Sequence, residues 1–277
     1  MRAAELIHIV VFSFFVSLAW IRRLPARRRA KVTGIGVAGL GATVAAACLL
    51  PRLVPALAVS VVRDWLPAAL VLLVYWQAGE FFMKVDQRFQ DRLEGIDARM
   101  VAPLLHCLSR RRVGMWIAAS LELAYLLCYP MIPISIGTLY LLRLGRYADS
   151  FWTVVLVSTY LCYGMLPFLQ TLPPRMLVES WLEPLPPGSV RRFNLWILRH
   201  ASIHANTFPS AHVAASTGAA LVVTSLAPWP AGLVFLAMAA GIAVGTFAGR
   251  YHFAADAVAG SAVAVIVFMV TRCFRAF

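Results

Sequence analysis

The feature that most limits what this chain can fold into is its series of long apolar stretches. Examples are LIHIVVFSFFVSLAWI near the start and AVAGSAVAVIVFMV near the end. Runs of about 17–25 apolar residues match the length a helix needs to cross a bilayer. A helix satisfies its backbone hydrogen bonds internally, whereas an open sheet edge in lipid does not. The chain therefore reads as all-α, a polytopic membrane helix bundle. Composition agrees, with 61% of the 277 residues hydrophobic and 13% charged, against about 45–50% and about 25% in soluble domains.

The apolar runs predict about eight crossings, near 5–21, 33–60, 65–82, 113–142, 151–170, 208–226, 231–249 and 255–272. The expected organisation is one integral membrane domain over 1–277, with N-terminal helices in 1–64 and a six-helix core in 65–277. Two predicted crossings are long and contain Pro51, Pro55, Pro130 and Pro133. Proline removes a backbone donor and crowds the preceding turn, so these spans are expected to kink or break. The connections are basic. Segment 83–112 reads as a helix lying along the surface. In 171–206, Ser189 is an expected cap for a short helix mixing Phe193, Trp196 and Ile197 with Arg191, Arg192 and Arg199, as an interfacial helix does.

The net charge of +13 does not carry a nucleic-acid reading, because no such module is present. It fits loops beside anionic headgroups. With eight crossings, parity puts 22–31, 83–112, 171–206 and Arg250 on one side, with 18 of the 25 Lys and Arg. The positive-inside rule would make that side cytoplasmic. Cys48, Cys107, Cys128, Cys162 and Cys273 are odd in number, without C-x-x-C spacing. They read as small core residues, with no disulfide framework or zinc site. Positive charge at the N-terminus is denser after the first apolar run than before it, and no A-x-A-like site follows. That run reads as a retained first helix.

Two stretches on the same predicted side carry chemistry: TFPSAH, with Ser210 and His212, and GRYHFAADAVAG, with Arg250, His252 and Asp256. His252 and Asp256 are four apart, which on a helix puts them on one face. A carboxylate that accepts one imidazole N–H leaves the other nitrogen with its lone pair exposed, as a nucleophile or base requires. The start of a helix after Pro209 offers free N–H groups and a positive dipole end, a seat for an anion. Arg175, in TLPPR, and Arg250 supply guanidinium groups suited to phosphate. Together these residues describe phosphoryl transfer. His252 attacks phosphorus, His212 protonates the leaving oxygen, and Arg175, Arg250, Ser210 and backbone N–H groups neutralise the remaining oxygens. No metal or other cofactor is expected.

PSAH followed by RYHFAADAVAG resembles the type 2 phosphatidic acid phosphatase superfamily over about residues 165–265. The resemblance implies a helical membrane core in which the later His forms a phosphohistidine, the Asp supports it and the earlier His is the general acid. Those roles fall on His252, Asp256 and His212. YWQAGEFF, LELAYLLCYP and TLPPR further resemble the branch containing inositol phosphorylceramide synthases. Ala211 stands where the family usually has Gly, and Thr246 where it has an Arg six residues before the His. The family's first motif, K-x6-R-P, is absent, and KVDQRFQDR from Lys84 is off by one and lacks the Pro. Arg175 is taken as the stand-in. The resemblance also implies a periplasmic or luminal site, opposite to the charge count.

Three functions are weighed. The first is a metal-independent lipid-phosphate phosphatase, whose partner is a membrane lipid carrying a phosphate. The second is a lipid phosphotransferase, in which an alcohol acceptor such as inositol replaces water in a pocket that excludes water. The third is a transporter or channel, which would want charges spread along several helices. The expected location is a multi-pass bacterial inner membrane, with no nucleic-acid partner. Plainer readings stand beside these: helix capping for Ser210, snorkelling for Arg250, and a structural hydrogen bond for Glu122 and Glu80, which at membrane depth must be neutral or paired. His200 and His204 read as interfacial packing. Trp65, Tyr75, Trp76, Trp152 and Trp181 read as belt or core.

Overall fold

The computed structural model describes residues 1–103, 112–177 and 188–274; Cys107 and Trp181 lie outside them. The described residues form eleven helices and no strand: α1 (Ala3–Ile21), α2 (Ala26–Leu53), α3 (Ala56–Gly79), α4 (Gln87–Met100), α5 (Arg112–Leu126), α6 (Cys128–Leu141), α7 (Ala148–Met165), α8 (Ser189–Ala201), α9 (Ala211–Leu226), α10 (Trp229–Ala248) and α11 (Ala254–Phe274). This is a polytopic membrane helix bundle.

Proline sets the breaks. Ahead of Pro51 the second helix widens into a π turn over Ala45–Leu49, as the missing donor and the ring's bulk require. Val54 is extended, with φ −138° and ψ 160°, the conformation imposed on a residue before proline. The second and third spans therefore part at 54–55, not at the expected 60–65. Arg63 and Asp64 lie inside α3, where Arg63 pairs with Glu5 and Asp64 with Arg2. The predicted fourth span breaks too, with a bend of 58° between Trp116–Leu126 and Cys128–Leu141.

Among the described residues, five helices are long and apolar enough to cross a membrane, or six with the bent pair as one span, against the expected eight. The other two are α7 and the short α9. Both sit at the centre, packed against helices on several sides. A helix that faces protein needs less hydrophobicity than one that faces lipid and tolerates small polar residues. Ser158, Thr159 and Ser216 are buried on these two helices. The main core runs from Phe12 and Phe15 on α1 through Trp152, Val154 and Leu156 on α7 to Val222 on α9 and Phe268 on α11. The first helix is part of it. Of the described cysteines, Cys162 is buried and Cys128 partly so, while Cys48 and Cys273 are exposed on outer faces, which corrects their reading as core residues.

Polar contacts gather at two ends of the bundle. At one, the N–H groups of Ala3 and Ala4 donate to Asp149, and the Arg63–Glu5 and Arg2–Asp64 pairs lie beside Tyr140, which donates to Asp64. At the other, Arg22 donates to Pro167 O, Arg28 to Glu80 O and Phe82 O, and Lys31 pairs with Glu80. The loops holding the chemical motifs lie at this second end, joined to it by Gln170, which donates to Phe81 O.

Candidate active site

Three loops meet at that end: 166–177 after α7, 202–210 before α9, and 249–253 between α10 and α11. The last begins with a Schellman closure of α10. Tyr251 N–H donates to Thr246 O at 2.9 Å and Arg250 N–H to Phe247 O at 3.0 Å. This closure needs a left-handed residue after the helix, normally Gly. Here Arg250 occupies it, at φ 62°, and a non-glycine residue there costs about 1–2 kcal/mol. His252 N–H also donates to Thr246 O, at 3.2 Å. Thr246 thus anchors the loop through its carbonyl.

His252 and Asp256 do meet, but not along a helix face. His252 precedes α11 and Asp256 sits in its first turn. One oxygen, Asp256 Oδ2, accepts from Phe253 N–H at 3.0 Å and from Asn206 Nδ2 at 2.8 Å, and lies 3.2 Å from His252 Nδ1. The bond from Phe253 N is half of a capping box, with the acid three residues into the helix reaching back to the cap. A carboxylate oxygen at this position favours the His252 tautomer with its proton on Nδ1, in which Nε2 keeps its lone pair. Burial, then the nearby Arg175 charge, pull the His252 pKa down to about 3, so the ring is neutral near pH 7.

His212 lies one residue into α9. Its ring is 5.8 Å from that of His252, 6.2 Å from Tyr125 and 6.1 Å from Tyr129. Ser210 is the N-cap of α9 and accepts from Val213 N–H at 3.5 Å, so its capping role is real. The Ser210 N–H donates to Asp256 O at 2.9 Å, which ties the two motifs together. A Cβ on Gly260 would stand 2.5 Å from the Ser210 carbonyl oxygen. The close approach of the two motif helices is thus made at Gly260, and the methyl of Ala211 is accommodated.

The arginines join two of the loops. Arg175 N–H donates to Arg250 O at 3.0 Å and its guanidinium to Tyr251 O at 3.2 Å, while the Arg250 guanidinium donates to Pro174 O at 3.0 Å. No carboxylate forms an ion pair with Arg175 among the described residues. A partly buried guanidinium without a carboxylate favours an anionic ligand. Arg250 also feels the charges of Arg191 and Asp97. His212 Nδ1, Asp256 Oδ1 and Asn206 Oδ1 are buried without hydrogen-bond partners among the described residues. Folding normally pairs such atoms, and clusters of exceptions mark functional sites. Among the described residues no three His, Cys, Asp or Glu converge as metal ligands.

Sequence reasoning missed Asn206, which holds both Asp256 and Thr171, with 3.0 Å to the Thr171 hydroxyl. It also missed Asp97 on α4, whose Oδ1 accepts from Ala254 N–H at 3.0 Å. A signal for Asp97 existed. Gln90, Leu93 and Asp97 form the buried stripe of α4, at spacings that put two polar residues on the inward face. Arg191, read as part of an interfacial helix, is instead buried and pairs with Glu122, which also accepts from Asn194 Nδ2 at 2.9 Å and from the Tyr251 hydroxyl. Glu122 is therefore paired. The rest of α8 does expose Phe193, Trp196, Arg192 and Arg199, and its cap is Gly188 in place of Ser189.

A sequence model of the PAP2 superfamily matches residues 91–270. No curated protein and no solved structure matches the chain.

Proposed function

The chain belongs to the PAP2 superfamily, and on that premise we propose that it is a metal-independent phosphatase of membrane lipid phosphates working through a phosphohistidine. Membership supports phosphatase- or phosphotransferase-type chemistry on a phosphate substrate. The observation that carries the finer reading is the His252 Nδ1–Asp256 Oδ2 contact at 3.2 Å with the His212 ring 5.8 Å away.

In the proposed first step His252 Nε2 attacks phosphorus, forming an N–P bond as the P–O bond to the lipid alcohol breaks. His212 gives its proton to the departing oxygen. Asp256 stabilises the imidazolium that His252 becomes. In the second step His212 takes a proton from water, the water oxygen bonds phosphorus, and the N–P bond breaks to release inorganic phosphate. Arg175 is the first candidate for the phosphate oxygens, with Arg250, Ser210 and the N–H groups opening α9 beside it. The proposed location is a bacterial inner membrane, which fractionation would test.

The reading is tested with purified protein and labelled lipid phosphates, with and without EDTA and candidate alcohols. Phosphate release that survives EDTA and disappears in His252→Ala supports it. Label arriving on an added alcohol makes the protein a phosphotransferase instead. Undiminished turnover by His252→Ala would sink the histidine mechanism, and no turnover of any lipid phosphate would return transport to consideration.

A further inference from the structure

Helix α4 lies outside the catalytic motifs, yet it touches every loop that carries them. Asp86 N–H, at its cap, donates to Gln170 O at 2.7 Å. Gln90 Oε1 accepts from Leu172 N–H at 2.9 Å, two residues after Gln170 and three before Arg175. The Phe89 ring packs edge-on against Phe208, centroids 5.0 Å apart, two residues before Ser210. Val101 packs against Ala248. At the last loop Asp97 is buried, 6% exposed, and Oδ1 accepts from Ala254 N–H. One inward stripe of one surface helix thus reaches the arginine loop, the loop before His212 and the loop of His252.

The Asp97 contact is the most consequential, because of what α11 lacks. An ideal helix start has Ser, Thr, Asp or Asn at the cap, to accept from the first N–H groups. Here the residue before Ala254 is Phe253, whose side chain accepts nothing. Asp256 reaches back to Phe253 N–H, and Asp97 takes Ala254 N–H from a different helix. The cap of α11 is therefore supplied from α4. The segment it fixes runs directly from His252 to Asp256.

We propose that Asp97 is a positioning residue for the phosphoryl-transfer site: its carboxyl oxygen caps α11 from α4 and so holds His252 in line with Asp256. The inference rests on the function proposed above. The required property is an acceptor oxygen rather than a charge. The bond is a single backbone N–H to Oδ1, which an amide oxygen accepts equally well, so Asn should replace it.

The test compares wild type, Asp97→Ala and Asp97→Asn by hydrogen exchange across residues 248–257 and by steady-state kinetics on a lipid phosphate. In Asp97→Ala, exchange of this segment rises by about tenfold or more, as expected for losing a helix cap. Its kcat falls by about tenfold to a hundredfold with KM little changed, as expected for a reacting group displaced by a fraction of an ångström to about one ångström. Asp97→Asn restores both. Unchanged exchange or unchanged kcat in Asp97→Ala overturns the proposal, and so does an Asn variant as impaired as the Ala variant. If Asp97→Ala is not monodisperse, Asp97→Asn against wild type still decides, because a loss of exchange protection there contradicts the acceptor role. If wild type turns over no lipid phosphate, the function reading fails on its own, while exchange still reports whether Asp97 orders the segment.

Discussion

Asp256 directs its Oδ2 at three donors and leaves Oδ1 without a partner, and that arrangement sets what single substitutions should do. Asp256→Asn keeps the shape and an acceptor oxygen but removes the negative charge that stabilises a protonated or phosphorylated His252. It should lower kcat by a factor on the order of a thousand or more, as loss of a histidine-orienting carboxylate does elsewhere, with binding of an unreactive lipid phosphate retained. Two buried groups at the 249–257 segment also give a pH signature. His252 is depressed from 6.5 to about 3, so the unfolded chain binds the extra proton between those values. Its contribution is fully present above about pH 6.5 and declines as pH falls through that window. Asp97 is raised from 3.8 to about 6. Its contribution has the opposite sign, full below about pH 4 and lost as pH rises through 6. Asp97→Asn removes only the second, so its melting temperature should fall more steeply than that of wild type between pH 6.5 and 4. Parallel curves would contradict this. That His252, His212 and Asp256 lie close together was legible from their residue types and spacing. Asn206 and Asp97 were not singled out, because an isolated Asn before a Thr and an Asp on a surface helix are common without chemistry.

At the level of elements, the site depends on how closely two helices cross. Because a Cβ on Gly260 would stand 2.5 Å from the Ser210 carbonyl, Gly260→Ala must part α11 from the start of α9 and pull Asp256 from Ser210 N–H. It should lower both turnover and melting temperature. Gly164→Ala on α7 is the control. A Cβ there meets nothing within 4 Å, and Ala in a helix gains about 0.5–1 kcal/mol over Gly, so that variant should be neutral or slightly more stable. Equal losses in both would remove the steric argument. The proline breaks were legible as locations of strain, since Val54 before Pro55 and the π turn before Pro51 follow from one missing N–H and one ring. Their consequence for span boundaries was not. Arg63 and Asp64 looked like a loop, and only their pairing with Glu5 and Arg2 lets them sit within α3.

For the whole molecule, the main core is continuous from α1 to α11. The first helix supplies Phe12, Phe15 and His8, and His8 Nδ1 lies 2.9 Å from the Tyr160 hydroxyl on α7. A chain starting at residue 55 should therefore lose monodispersity and turnover. If it kept both, the helices of residues 1–54 would be dispensable to the fold of the rest. By itself the sequence determined that the chain is a helical membrane bundle, because hydrocarbon tolerates no unpaired backbone and apolar length is read directly from composition. It also brought His212, His252 and Asp256 to attention by residue type and spacing. Tertiary structure decided the rest. It fixed which helices are central and can be short or polar, that Arg191 turns inward to Glu122, and that α11 takes its cap from Asp97 on α4. These depend on pairings between residues far apart in the chain, and a hydrogen bond across 157 positions leaves no local pattern in the sequence to read.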